Sequence, residues 1–244
     1  MPSGHHTTCW RCVAFAYWEW YGTHGTSAIH VRIENLIVPD GNTHRLVTRA
    51  HDAAQCLTVL RDHYKLPPDT FFFDAFACMG GDTLMLLSHF QRGCACEIDP
   101  TRWRALRHNT SNSVVTTNSG HAARDIITMN TDATLGLQHC ADLGLLAGSQ
   151  WIAYLDPPWE WWTPGKYATN AINNAIDAIF TAEKNPAVII VKGPPNNPTF
   201  RDFFDSELRQ HAYCNTWMLD IFKTSKSNKQ VGMTFMFYNP ETSP

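Results

Sequence analysis

Asp156-Pro157-Pro158-Trp159 follow an apolar run, Trp151-Ile152-Ala153-Tyr154-Leu155, that reads as a strand. This set suits one kind of chemistry, transfer of a methyl group to the exocyclic amine of a base. The nitrogen lone pair of such an amine is delocalised into the ring. Acceptors placed on its hydrogens favour a more tetrahedral nitrogen and expose the pair. A carboxylate oxygen of Asp156 and the backbone carbonyl of Pro157 would be those acceptors, on a loop that two prolines make rigid. Trp159 offers a flat surface for stacking a base, worth ~1–3 kcal/mol. The bland alternative is a turn with an incidental aromatic. The strand-then-loop setting argues against it.

A second group of residues suits a ligand with a cationic amino-acid part. The run Phe71-Phe72-Phe73 ends in Asp74 and feeds Ala75-Phe76-Ala77-Cys78-Met79-Gly80-Gly81-Asp82. An acid ends a strand and a glycine pair opens a helix, at the strand end where open α/β sheets bind ligands. The spacing is not the Gly-x-Gly-x-x-Gly that places a pyrophosphate on a helix N-terminus. Cys94-Ala95-Cys96-Glu97-Ile98-Asp99 ends in acids placed for ribose hydroxyls, and Ile126-Ile127-Thr128-Met129-Asn130-Thr131-Asp132 ends in an acid placed for an adenine amino group. Any one of these acids reads equally well as a strand-end cap. Three in register after three successive strands are harder to dismiss.

The elements that must position these groups follow from periodicity. Strands are expected at 70–74, 94–98, 125–129, 151–155 and 187–192, with helices at 48–63, 82–91, 100–109, 133–146, 169–183 and 199–210. Strands alternating with helices predict a parallel sheet covered on both faces. Strands at 215–222 and 231–238 are joined by a short Lys/Ser/Asn loop, so this last pair is expected to be an antiparallel hairpin. Residues 1–45, with Trp10, Phe15, Tyr17, Trp18, Trp20 and Tyr21, read as an aromatic N-terminal extension docked on a domain of residues 46–244.

Composition narrows the class. A chain of 244 residues, 44% hydrophobic and 17% charged, suits one globular catalytic domain with a modest extension. No run of ~18 apolar residues exists for a membrane span, and the first residues lack a secretory pattern, so a nuclear or cytoplasmic protein is expected. The net charge of −3 argues against nonspecific coating of nucleic acid but allows a site for one nucleotide. The 8 cysteines are spread through expected core elements and read as reduced. His5, His6, Cys9 and Cys12 have metal-like spacing without a second ligand pair, and no metal is expected. Lys223, Lys226 and Lys229 read as a solvated loop.

Taken together, these motifs resemble the trimethylguanosine synthase family, which methylates N2 of the 7-methylguanosine cap of RNA. The family pattern Val-Asp-Ala-Phe-Cys-Gly-x-Gly-Gly-Asn-Thr is similar to Phe73-Asp74-Ala75-Phe76-Ala77-Cys78-Met79-Gly80-Gly81-Asp82-Thr83. Its Asp-Ile-Asp-Pro is similar to Glu97-Ile98-Asp99-Pro100, with Asn109 a helix later. Its Ser/Asp-Pro-Pro-Trp, followed by Tyr-Ala-Thr, is similar to Asp156 to Trp159 followed by Tyr167-Ala168-Thr169. Its Leu-Pro-x-Asn turn is similar to Gly193-Pro194-Pro195-Asn196, and its Ser-Val-Thr to Leu46-Val47-Thr48. The likeness spans residues 45–240. It departs where Glu160-Trp161-Trp162 stand in place of two glycines.

The resemblance implies an α/β Rossmann-like class I methyltransferase fold, a mostly parallel seven-stranded sheet with a terminal antiparallel hairpin. It implies S-adenosyl-L-methionine as cofactor, held by Thr48, Asp74, Phe76, Ala77, Gly80 and Thr83 and, further on, by Glu97, Asp99, Asp132 and Ala133. Catalysis would fall to Asp156, Pro157 and Trp159, and the capped RNA would meet Trp159, Tyr167, Pro194 and Asn196. A 7-methylguanine ring is cationic, so stacking on Trp159 would gain a cation–π contribution. Amino-methylation of adenine N6 or guanine N2 within RNA or DNA is the nearest alternative. A ribose 2′-O-methyltransferase using Asp156 and Lys192, and a silent cap-binding module, are further ones.

Overall fold

A computed structural model of the chain describes residues 30–33, 37–39, 48, 50–117, 120–121, 125–147, 150–158, 167–194, 197–211, 214–224 and 229–240. The aromatic cluster of residues 10–21, the His5/Cys12 group, Trp159, Trp161, Trp162 and Asn196 lie outside these. So do the side chains of Tyr167, Lys223 and Lys229. Among the described residues, no helix is long and apolar enough to cross a membrane.

In chain order the elements are β1 (His30–Ile33), α1 (Ala50–Thr58), β2 (Phe71–Asp74), α2 (Gly81–Leu87), β3 (Arg92–Cys96), α3 (Pro100–Ser111), β4 (Ser113–Thr117), β5 (Gly120–His121), β6 (Asp125–Met129), α4 (Ala133–Asp142), β7 (Trp151–Leu155), α5 (Tyr167–Thr181), β8 (Val188–Gly193), α6 (Pro198–His211), β9 (Cys214–Thr224) and β10 (Lys229–Pro240). A π turn over Val59–His63 continues α1, and Pro67-Pro68 stop it. Strand β3 is shifted two residues toward the N-terminus of its expected range, leaving Glu97 just beyond the strand rather than in it.

The larger sheet has the order β6-β3-β2-β7-β8-β10-β9. The first five are parallel, β10 runs antiparallel to β8, and β9 pairs antiparallel with β10 at the edge. The chain therefore builds outward from β2 through β3 to β6, then returns to start the other half at β7. Strands β2 and β7 are adjacent, so the sheet changes direction between them, and their carboxyl ends open on one crevice.

Side chains alternate across the sheet, and the two cores follow that parity. Phe71, Phe73, Ala153, Leu155, Ile189 and Val191 pack with residues of α4, α5 and α6. Phe72, Ile152, Tyr154, Val188 and Ile190 pack with α1 and α2. Every residue of β2, β7 and β8 is buried, as parallel strands covered on both faces must be. Helix α4 lies so close to β3 that a Cβ on Gly136 would sit 2.1 Å from Cys96 Sγ.

A second, three-stranded antiparallel sheet, β1-β4-β5, was not expected from periodicity. It forms because His30–Ile33 pair with Ser113–Thr116, a strand of the 110–124 stretch that carries no clear apolar period. A segment of the N-terminal region thus joins the rest of the chain by backbone pairing.

Candidate active site

The parity that sorts the core also builds the site. Asp74, Asp156 and Lys192 extend the α2-facing rows of β2, β7 and β8, and all three end over the start of α2. Asp74 is fully buried and accepts a 2.6 Å hydrogen bond from Thr83 Oγ1 through Oδ2. Its Oδ1 is buried with no hydrogen-bond partner. Burial pushes the Asp74 carboxyl up to about 7, against the pull of the Thr83 hydroxyl and with a further push from Asp82.

Lys192 is 2% exposed and donates to Asp82 Oδ2 at 3.1 Å and to Asp156 Oδ2. Burial works against its ammonium, but Asp156 and Asp82 together outweigh that and hold its pKa above the ordinary lysine range. Burial raises the Asp156 carboxyl; Lys192 pulls it down and Asp82 pushes it up. Asp156 keeps 15% of its side chain exposed, Pro157 is buried and Pro158 is exposed. Two more polar atoms in this region are buried without partners, Tyr154 Oη and Asp82 Oδ1.

The loop between β2 and α2 turns tightly, with Cys78 at φ 51° and Gly80 at φ 97°. Glycine adopts that conformation at no steric cost, and a Cβ on Gly80 would also meet Leu106 Cδ1 at 3.0 Å. Gly80 therefore serves the turn and its packing on α3. Ala77 is buried against Ala95 and Leu106, and Phe76 is partly buried on the main core. Cys78 stands where the resembling family pattern has glycine. Its thiol is pushed up to about 12 by burial and by Glu97.

Asn109 ties this loop to the N-terminal region. It is fully buried, donates to Met79 O at 2.9 Å, donates to Ile37 O at 3.0 Å and accepts from Ile37 N at 2.8 Å. Thr48 is buried with its hydroxyl unpartnered.

The remaining acids divide by what already occupies them. Glu97 accepts from Asp99 N at 2.8 Å, and burial raises its carboxyl. Asp99 caps α3 by accepting from Thr101 N and Arg102 N, and Asp132 caps α4 by accepting from Leu135 N. These capping roles were legible: an acid directly before Pro100, and one directly before Ala133 and its helix, are helix-start signals. Ala133 is buried at the first position of α4, Pro194 is half-buried after β8, and Tyr167 opens α5. Asp82 was not singled out from sequence as a site residue, and Lys192 only within the ribose alternative. The signal was a lysine ending the apolar run Val188-Ile189-Ile190-Val191.

A hollow of about 320 Å³ between α4 and α5, lined by Thr134, Gln138, Asp177 and Thr181 among others, contains none of these residues. Among the described residues, no group of three or more His, Cys, Asp or Glu could hold a metal ion.

No protein-family model matches the chain. No curated protein matches it by sequence. Among solved structures it is similar to a protein from Pyrococcus horikoshii described as a candidate RNA methyltransferase, with a TM-score of 0.55 and 12% identity over 85% of this chain and 92% of that one. It is similar to precorrin-6y C5,15-methyltransferase from Geobacter metallireducens, with a TM-score of 0.52 and 15% identity over 81% and 91%. It is also similar to a candidate methyltransferase from Porphyromonas gingivalis, with a TM-score of 0.57 and 14% identity over 84% of this chain and 43% of that longer one. At these identities the likeness is one of fold. The chain has the α/β Rossmann-like fold of class I methyltransferases, a mostly parallel sheet closed by a terminal antiparallel pair.

Proposed function

We propose that this protein is an S-adenosyl-L-methionine-dependent methyltransferase acting on the N2 amine of a 7-methylguanosine RNA cap, in the nucleus or the cytoplasm. The observation that carries the methyltransferase part is the meeting of two loops at the switch between β2 and β7. One follows Asp74, which has a buried oxygen lacking a partner; the other begins with Asp156. The residues fit the cofactor. An unpartnered carboxylate oxygen suits an α-ammonium group, and the buried Thr48 hydroxyl, also without a partner, is the kind of group a polar ligand would satisfy.

The bound sulfonium supplies a methyl group that is already electrophilic, so no metal is called for. Asp156 and the Pro157 carbonyl would accept from the amine hydrogens and orient the lone pair for in-line attack. As the nitrogen gains the methyl group it must shed a proton, and a carboxylate at that hydrogen stabilises the developing charge. The cap as substrate rests on the motif resemblance, Trp159 and Tyr167-Ala168-Thr169 included.

A second reading has its own observation. The ion pair of Lys192 with Asp156 is the kind of Lys–Asp pair expected of a ribose 2′-O-methyltransferase. One experiment separates the two: methyl transfer from labelled S-adenosylmethionine to 7-methylguanosine triphosphate and to a 7-methylguanosine-capped RNA, with GTP and the Asp156→Ala variant as controls, followed by nuclease digestion of the RNA to locate the label. Label on guanine N2 of the methylated nucleotide alone, lost in the variant, is the expected result. Label on a ribose oxygen of an RNA substrate would transfer the assignment to the second reading.

A further inference from the structure

Lys192 is the ammonium of a buried triad whose members come from three segments: Asp82 at the start of α2, Asp156 just after β7, and Lys192 near the end of β8. Such a triad is a poor way to stabilise a fold, because desolvating three charges offsets most of their attraction and well-packed apolar side chains do as well. Its location is what singles it out. One carboxylate opens the helix that follows the cofactor loop, the other opens the proposed acceptor loop, and both are held by the same nitrogen.

We infer that Lys192 is a positioning residue for methyl transfer, fixing Asp156 at the acceptor and tying the acceptor loop to the cofactor loop through Asp82. The inference rests on the methyltransferase reading and deepens it. Period-2 alternation on β8 sends Lys192 to the α2 side, on the same row as Val188 and Ile190. Parallel register pairs Leu155 with Val191, so Asp156 and Lys192 are lateral neighbours one step further on. Asp82 closes the triad from above, 110 residues away in sequence.

With Oδ2 of Asp156 bonded to Lys192, the carboxylate cannot turn freely on its loop. The ammonium also opposes protonation of a carboxyl that burial and Asp82 both push upward. An ionised Asp156 accepts from an amine hydrogen more strongly than a protonated one and stabilises the developing positive charge, so Lys192 keeps it in its effective form at neutral pH. Asp82 and Asp156 hydrogen-bond to Lys192; the Asp74 carboxyl and the buried Cys56 thiol of α1 also feel its charge, and Asp82 acts on both of these and on the Tyr154 hydroxyl.

The test compares wild type with Lys192→Met, Lys192→Arg and the double variant Asp82→Asn/Lys192→Met. The double variant leaves no unmatched pair of carboxylates and guards against a single variant that fails to fold. Carboxyl carbon NMR of the unliganded proteins follows Asp156, calorimetry follows S-adenosylmethionine binding, and methyl transfer is measured from pH 5.5 to 9.5.

Lys192→Met is expected to raise the Asp156 midpoint and the acidic limb of the rate by about one pH unit or more. It is expected to lower kcat by about a hundredfold near pH 7, with cofactor binding retained. Lys192→Arg, still cationic, should recover much of the rate. The double variant should show the same kcat loss as Lys192→Met while melting as a folded protein. A folded Lys192→Met or double variant with the wild-type rate and pH profile overturns the role of Lys192 and leaves the methyltransferase reading intact. Failure of the wild type to bind S-adenosylmethionine removes that reading instead, and this inference with it.

Discussion

Thr83, near the start of α2, donates a 2.6 Å hydrogen bond to Oδ2 of Asp74 at the end of β2, while Oδ1 stays buried. Full burial, helped by Asp82, outweighs the Thr83 hydroxyl and the Lys192 ammonium and pushes the carboxyl up to about 7. A carboxyl raised above its unfolded value contributes stability that is complete below the unfolded pKa and is lost as pH rises through the folded one. Asp74 therefore costs the fold most at alkaline pH. Asp74→Asn should gain on wild type by about 2–3 kcal/mol between pH 5 and pH 8 in urea denaturation. A pH-independent difference would mean that Asp74 is ionised throughout.

The same protonation is coupled to ligand binding under the proposed function. An α-ammonium group binds the carboxylate form, so the affinity for S-adenosylmethionine should fall below pH 7, by at most about tenfold per pH unit. Calorimetry in buffers of different ionisation enthalpy would detect the released proton. Asp74→Asn should bind more weakly at pH 8 and lose the dependence. Equal affinity at pH 5.5 and 8 would remove Asp74 from the cofactor's contacts.

Asn109 makes three hydrogen bonds to backbone, two with Ile37 and one with Met79 O. Asn109→Ala leaves these groups without their partner, and should lower stability by about 2–4 kcal/mol. Amide exchange offers a site-specific check: the Ile37 amide should lose its protection. Protection retained at Ile37 would show that β1 pairing holds this segment unaided.

Cys78 sits at φ 51°, where a branched Cβ crowds the backbone. Cys78→Val should lower the unfolding free energy by about 1–3 kcal/mol in urea denaturation, and Cys78→Asn, which tolerates this conformation, by much less. The thiol itself, pushed up to about 12, should react slowly with iodoacetamide at pH 8 despite its partial exposure. Fast alkylation would contradict the burial that raises it.

Gly136 lets α4 rest on β3. Gly136→Ala puts a methyl group 2.1 Å from Cys96 Sγ and should destabilise by about 1–3 kcal/mol. Cys96→Ala in the same chain should recover part of the loss. If the double variant is no more stable than Gly136→Ala, the helix and strand are not in the contact described.

Much of the fold was written locally. Apolar runs of strand length alternating with helical periods gave βαβ order, and every one of the five expected parallel strands is present, displaced by at most two residues. Acids at the ends of β2 and β7, the glycine turn after β2 and the short link before β10 were likewise readable, because each depends on a few consecutive residues. Strands β1, β4 and β5 were not, since β1 finds its partner in β4, some eighty residues further along the chain.

What only the tertiary structure decided is who meets whom. Nothing in the run Val188 to Val191 says that β8 lies beside β7, or that β10 rather than β9 follows it. Neighbour order comes from burying both faces of the whole sheet at once, and that order brings Lys192 to Asp156 and Asp82. Local periodicity places an acid at each strand end, because a few consecutive residues suffice; long-range packing chose which carboxylates became helix caps, which were paired, and which kept a buried oxygen without a partner.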